Sequence, residues 1–240
     1  MSRPLVFAHR GASAYAIENS LDAFQLALEL QSDGLELDIQ MTKDQIPVVV
    51  HDYNLRRLTG KNALVSDLTL KELKSLKVGK LFIRRFRGPA ILTFEEFLSW
   101  HSRTKVPLNI ELKESFIENS NALKTTVERC MEIPYIHFSS FHLDLLKNVK
   151  RLAPNIETAF IATKLLNWDE LDQLPYIDTI HANKTWYYKE RYLDACFRHH
   201  KKCRFYNIHG NEKYITSPHK NVIGWITDYP EIVRAAQRKV

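Results

Sequence analysis

Two histidines stand where short apolar runs end in this sequence of 240 residues. His9 follows the run LVFA, and His51 ends the run IPVVVH. Imidazole groups ionise near neutral pH, so two of them can supply one base and one acid. Cleavage of a phosphodiester needs both, a base for the attacking hydroxyl and an acid for the departing alkoxide. The sequence therefore predicts that His9 and His51 are catalytic.

Three acidic residues occupy two other apolar runs. Glu36 and Asp38 are two apart in GLELDIQ and face the same side of a strand, as do Glu111 and Lys113 in PLNIELK. Three carboxylates brought together must be protonated, paired with cations or bound to a metal. Oxygen ligands without cysteine favour a hard divalent ion, Mg²⁺ or Ca²⁺. The alternative to a metal site is that these acids are simply paired with cations, Glu36 with Lys113 or Glu111 with Arg10.

Arg10 follows the first of the two histidines directly. A guanidinium group can hold two phosphate oxygens in a fork, and Lys113 can share the charge that develops on the phosphoryl group. Together with the two imidazoles and the acid cluster, these cations predict a metal-assisted cleavage of a phosphodiester.

The elements that would position these groups alternate between strands and helices. Only residues 41–45 separate the second and third predicted strands, too few for a crossover helix, so these two form an antiparallel hairpin. A hairpin folded about Lys43 and Asp44 places His51 opposite Glu36, to within one residue. The other eight strands predict a (β/α)8 TIM barrel. The predicted strands are 5–8, 34–40, 46–51, 107–112, 136–140, 157–162, 177–182, 203–208 and 222–227. The predicted helices are 20–31, 70–76, 94–103, 118–131, 142–152, 168–174, 188–199 and 229–238.

Charge and cysteine content limit the environment. The net charge is +6, and the densest basic cluster, 77–88, mixes lysine and arginine with phenylalanine. We interpret 77–88 as a solvated face or a weak contact with an anionic membrane, and we expect no nucleic-acid partner. Three cysteines without a CxxC motif indicate neither a disulfide framework nor a zinc site. No apolar run resembles a signal peptide or a membrane span, so we expect a cytoplasmic protein.

Seven motifs in chain order give the sequence a family resemblance. They are HRG…ENS, GLELDIQMTKD, PVVVHDYNLRRLTG, LTFEEFL, NIELK, SSF and GWITDYP. With them the chain resembles glycerophosphodiester phosphodiesterases. The resemblance implies one domain, 1–240, with a phospholipase-C-like barrel and a small insertion, about 53–87, after the hairpin of the second strand. It also implies hydrolysis of glycerophosphocholine or glycerophosphoethanolamine to sn-glycerol 3-phosphate and an alcohol. One route to these products begins with attack by the substrate's own neighbouring hydroxyl, which gives a cyclic phosphate.

The resemblance also implies a role for each candidate residue. It assigns catalysis to His9 and His51, phosphate binding to Arg10, an active-site role to Lys113, and one divalent cation to Glu36, Asp38 and Glu111. The chain departs from the family pattern at 206–209, where YNIH replaces the frequent WTVN. Tyr206 can still stack on the glycerol or alcohol group, so we predict that it binds substrate.

Other functions remain open at this stage. A barrel of this group could act on intact lipids, as phospholipase C or sphingomyelinase D does. A catalytically silent module that binds phosphodiesters or anionic surfaces is a second possibility. Glu18, near the start of the first helix, is predicted either to be structural or to support a residue of the site. His137 and His181, on apolar strands, are predicted to be structural.

Overall fold

Eight parallel strands close into a barrel in the computed structural model, which describes residues 3–79 and 88–238. The ring runs β1–β2–β5–β6–β7–β8–β9–β10 and returns to β1, because β1 pairs with both β2 and β10. The predicted barrel is therefore confirmed. The strands are β1 Leu5–His9, β2 Gly34–Met41, β3 Pro47–Val49, β4 Leu92–Thr93, β5 Leu108–Leu112, β6 Ile136–Ser140, β7 Glu157–Ile161, β8 Thr179–Asn183, β9 Lys202–Tyr206 and β10 Val222–Thr227.

Helices cover the outside of the barrel. Each predicted helix is present, although 168–174 forms a 3₁₀ helix, Trp168–Gln173. Two short helices, α2 and α7, were not predicted, because a single turn leaves no periodic pattern. None of the described helices is long and apolar enough to cross a membrane. Within 3–79 and 88–238, the α-helices are α1 Leu21–Glu29, α2 Arg56–Thr59, α3 Leu70–Ser75, α4 Phe94–His101, α5 Ser120–Cys130, α6 Leu143–Leu152, α7 Lys184–Tyr187, α8 Glu190–Arg198 and α9 Pro230–Gln237.

The predicted hairpin forms between β2 and β3, and its register agrees with the predicted one to within one residue. Ile39 lies opposite Val49, and His51 follows the end of β3. The loop holds three residues rather than two, because the Thr42 amide donates to the Ile46 carbonyl. Such a loop needs a left-handed residue, and Gln45 adopts it with φ 58°.

The floor of the barrel is polar and buried. The Phe7 ring packs so closely over Gly34 that a Cβ there would lie 2.6 Å from it. The edge of His137 meets Phe7, and His181 meets His137 in the same way. Burial holds the pKa of both histidines well below the ordinary value, so they are neutral, structural groups as predicted.

An ion pair completes this floor. Arg204 from β9 donates to both carboxylate oxygens of Glu157 on β7, and its guanidinium carbon lies 5.5 Å from the Phe7 ring centre. Burial alone would raise the pKa of Glu157, but the hydrogen bond from Arg204 keeps it below its ordinary value. The base of the barrel is thus filled by side chains with fixed charge states.

A second apolar cluster lies beside the barrel, on the segment that follows the hairpin. It packs under the β2–β3 hairpin and is separate from the main core. Most of the basic cluster 77–88 lies outside the described residues, at 80–87. The members of this cluster are Val48, Val50, Leu55, Leu58, Val65, Leu68, Leu73, Val78 and Ile91.

One carboxylate ties the beginning of the barrel to its last helix. Asp33 accepts hydrogen bonds from the guanidinium groups of Arg3 and Arg234, and from the backbone amide of Val6. Burial alone would raise the pKa of Asp33, but the bonds from Arg3 and Val6 hold it below the ordinary value. A carboxylate with a lowered pKa stabilises the fold only while it is ionised.

We expect Asp33→Asn to lower the free energy of unfolding near pH 7 by about 1–2 kcal/mol, since charge-assisted hydrogen bonds are lost. The contribution is complete above the ordinary pKa of 3.8 and disappears as the pH falls through the lower pKa of the folded state. Urea unfolding near pH 7 and near pH 3 tests this, with the exposed Asp194→Asn as control. An equal loss at both pH values would contradict it.

Candidate active site

The strand register brings the predicted residues to one end of the barrel. His9 at the end of β1 lies beside Glu36 of β2, and Asp38 lies beside Glu111 of β5. Lys113 follows directly after β5. These side chains meet because the carboxyl ends of parallel strands share one face of a barrel, and side chains two apart point the same way.

Three buried carboxylates form the centre of the site. One oxygen each of Glu36, Asp38 and Glu111 lies within 4.8 Å of the others. Lys113 contacts Asp38 and Glu111: its Nζ atom lies 2.8 Å from one Asp38 oxygen and donates a hydrogen bond to Glu111. The Nε atom of Arg10 lies 3.3 Å from the other Asp38 oxygen. Two cations thus face three acids, so one negative charge is left over when all three are ionised.

The imbalance is visible in the pKa values of the three acids. Burial and the neighbouring Asp38 charge raise the pKa of Glu36 to about 8. The same two causes raise the pKa of Glu111. Burial would raise that of Asp38 too, but Lys113 and Arg10 hold it well below its ordinary value. Three buried oxygen donors whose repulsion is only partly compensated fit a hard divalent cation.

Arg10 sits in a strained turn at the tip of β1. Arg10 has φ 56° and Gly11 has φ 81°, and a Cβ on Gly11 would lie 2.6 Å from the backbone of Ala23. This tight turn aims the Arg10 amide at the Glu36 carboxylate, 2.8 Å away. Its guanidinium group donates to Glu18 at 3.0 Å. The backbone and the side chain of Arg10 therefore both face the acid cluster.

His9 is held by a carboxylate that lies just after the last strand. Its Nδ1 lies 2.7 Å from Asp228, which also accepts a hydrogen bond from Ser13. Burial would lower the pKa of His9, but Glu36 and Asp228 outweigh it and raise the pKa. With Nδ1 engaged, the Nε2 atom is left for proton transfer.

His51 is held in the same way just after β3. The Val50 amide donates to the Asp38 carbonyl at 3.0 Å, which anchors the chain beside β2. His51 Nδ1 lies 2.9 Å from Asp52. Burial lowers the pKa of His51, and Lys113 adds to this effect, although Asp38 opposes it. The two predicted histidines therefore have pKa values shifted in opposite directions.

Tyr206 lies at the carboxyl end of β9, on the edge of a cavity of about 530 Å³. Burial raises the pKa of Tyr206, and the neighbouring Tyr187 and Glu111 contribute to this shift. Trp186 and Phe141 line the same cavity. The tyrosine predicted to bind substrate therefore lies on an aromatic cavity, within range of the Glu111 charge.

Comparison with known proteins identifies the relatives of this arrangement. The model of the glycerophosphoryl diester phosphodiesterase family matches residues 9–231. A glycerophosphodiester phosphodiesterase of Caldanaerobacter subterraneus subsp. tengcongensis is 35% identical over 162 residues, 66% of this chain and 67% of that protein. One from Bacillus altitudinis is 34% identical over 181 residues, 74% of this chain and 72% of that protein. This chain belongs to the glycerophosphoryl diester phosphodiesterase family. The relatives indicate a phosphodiesterase enzyme.

Solved structures agree with this assignment. A phosphodiesterase of Oleispira antarctica, in complex with the product sn-glycerol-3-phosphate, matches with a TM-score of 0.85 at 25% identity and covers 98% of this chain and 96% of that one. A glycerophosphodiester phosphodiesterase of Thermotoga maritima matches with a TM-score of 0.78 at 25% identity, covering 98% and 99%. The family and the fold named by the resemblance are thus confirmed.

Sequence reasoning missed several partners in this phosphodiesterase site. Asp228 lies in the motif GWITDYP, and its place directly after a predicted strand was the available signal. Glu18 accepts hydrogen bonds from both Arg10 and Arg57, and the Nε atom of Arg57 donates to Asp52 at 2.6 Å. This chain of ion pairs links the two histidine loops. No local pattern reveals it, because Arg57 comes from the segment beyond the hairpin.

We expect Mg²⁺ or Ca²⁺ to raise the melting temperature of the wild-type phosphodiesterase, because an ion bound only by the folded chain stabilises it by about 2.7 kcal/mol at a hundred times its Kd. Glu111→Gln should remove most of this rise, and EDTA should reverse it in the wild type. The neighbouring exposed Glu118→Gln is the control. An equal rise in Glu111→Gln, measured by calorimetry, would place the ion elsewhere.

Proposed function

We propose that this family member hydrolyses glycerophosphodiesters, such as glycerophosphocholine or glycerophosphoethanolamine, to sn-glycerol 3-phosphate and an alcohol. The observation that carries the proposal is the pair of imidazoles beside the buried acids. His9 and His51 are each bound at Nδ1 by a carboxylate, at 2.7 Å and 2.9 Å, and both adjoin the acid cluster. Two oriented imidazoles are what cleavage of a P–O ester bond requires.

The two imidazoles take different parts in this proposal. His51, whose lowered pKa keeps it neutral, accepts at Nε2 the proton of the attacking hydroxyl. His9, whose raised pKa favours the protonated form, donates from Nε2 to the alkoxide as the P–O bond breaks. Attack by the adjacent glycerol hydroxyl gives a cyclic phosphate, which water then opens with the two roles reversed.

The cations support the negatively charged phosphoryl group. Arg10 and Lys113 are fixed by acids on both sides, so they need little reorganisation when charge develops. Glu36, Asp38 and Glu111 are the residues that would hold a divalent ion, Mg²⁺ or Ca²⁺. When bound, that ion supplies Lewis-acid stabilisation to phosphoryl oxygens.

We further propose that the substrate is a small molecule, and that one domain with an insertion at about 53–87 is sufficient for the activity. The separate apolar cluster behind the hairpin supports an insertion there. A cytoplasmic location is supported by Cys130, Cys196 and Cys203, which are free buried thiols. A reducing compartment keeps such thiols free.

Release of sn-glycerol 3-phosphate from glycerophosphocholine tests the proposal. We expect turnover with Mg²⁺ or Ca²⁺, loss of turnover with EDTA, and a fall in kcat of about a hundredfold or more in His9→Ala and in His51→Ala, since each removes a proton-transfer group. His219→Ala is the control, because that residue lies in the loop before β10, at the opposite end of the barrel. Undiminished activity in both site variants would refute two-histidine catalysis.

The cavity at Tyr206 makes a prediction about the head group. In the described structure, the charged residues that line the cavity are Lys164, Lys189 and Arg191, and all three are cations. One aromatic ring of the lining, Tyr192, has a cation beside it, since the Arg191 guanidinium carbon lies 4.3 Å from its centre. A cationic head group would meet like charge there. We therefore expect several-fold higher kcat/KM for glycerophosphoglycerol than for glycerophosphocholine. Replacing Lys164 and Lys189 by glutamine should bring the two kcat/KM values closer together. An unchanged ratio of the two values would show that these lysines do not set the preference.

A further inference from the structure

Three large apolar side chains lie just after neighbouring strands at the active-site end of the barrel. Phe141, Leu165 and Trp186 are 45%, 94% and 60% exposed. They follow β6, β7 and β8, which are consecutive in the sheet, so the segments that carry them are adjacent. We call these three residues the apolar rim. Such side chains are costly in water when grouped, and a grouped apolar surface marks a contact with something else.

The location of the apolar rim ties it to the site. Phe141 and Trp186 also line the cavity that reaches Tyr206, so the rim borders the cavity in which we propose that Tyr206 binds substrate. Two further exposed apolar residues, Tyr15 and Ile117, lie on loops at this same end of the barrel. A partner that covers the apolar rim therefore also lies at the mouth of the cavity that reaches Tyr206.

Charge distinguishes the kinds of partner. Lys164 adjoins Leu165 in the sequence, and Lys189 and Arg191 follow Trp186 closely; all three cations are exposed. Apolar and aromatic side chains beside lysine and arginine suit the boundary of an anionic bilayer, where rings enter the interface and cations meet lipid phosphates. The overall charge of +6 has the same sign.

We propose that the apolar rim docks the barrel entrance onto an anionic lipid membrane. Leu165, the most exposed of the three, enters the lipid interface, while Lys164 and Lys189 contact the head groups. The contact places the active-site entrance on the surface where lipid-derived diesters arise. It goes beyond hydrolysis, and it differs from a contact through 77–88, which involves other residues.

Sedimentation with vesicles tests the docking without any need for turnover. We expect the wild-type protein to bind phosphatidylcholine vesicles that contain phosphatidylglycerol, and to bind pure phosphatidylcholine vesicles much more weakly. Leu165→Asp should lower the partition coefficient about tenfold or more, because it removes an apolar contact and adds a negative charge at an anionic surface. Turnover of a water-soluble glycerophosphodiester should stay unchanged in that variant.

Tyr135→Asp is the matched control. Tyr135 is 78% exposed just before β6, at the opposite end of the barrel, and the substitution changes net charge by the same amount. Its vesicle binding should equal that of the wild type. Equal losses in the two variants, or no wild-type binding to anionic vesicles, would overturn the proposal. So would a shift in oligomeric state of Leu165→Asp without loss of vesicle binding, which would make the rim a contact between copies.

Discussion

The burial of three carboxylates at one end of a barrel is the constraint on which the site depends. Glu36, Asp38 and Glu111 lie within 4.8 Å of one another, where like charges repel strongly in a medium with little water. Lys113 and Arg10 offset part of this repulsion. Burial and the remaining repulsion raise the pKa of Glu36, and both favour a positive charge at the cluster, whether from a metal or from a proton.

The loops around this cluster are arranged to hold its cations and histidines. The left-handed turn at Arg10 and Gly11 brings a backbone amide and a guanidinium group to the acids. Glu18 then connects Arg10 with Arg57, and through Asp52 with the loop of His51. Ion pairs therefore connect the loop after β1 with the segment beyond the hairpin.

The lower part of the barrel provides a rigid base for these loops. Two neutral histidines, a phenylalanine over a glycine and the Arg204–Glu157 ion pair fill the interior beneath the site. Removal of one charge from this ion pair would leave the other buried and unpaired, which is strongly destabilising. The strained turn and the repelling acids of the upper layer thus lie above an interior filled by these side chains.

The sequence by itself determined the barrel, nearly all of its strands and helices, and the residues of the acid cluster and the histidine pair. Periodicity and spacing act over a few residues, and so do the motifs that carry the family resemblance. The tertiary structure alone decided the partners: Asp228 for His9, the Glu18–Arg57 link, and Asp52 for His51, just after β3. The first two depend on distances between loops far apart in the chain, which close only when the barrel forms.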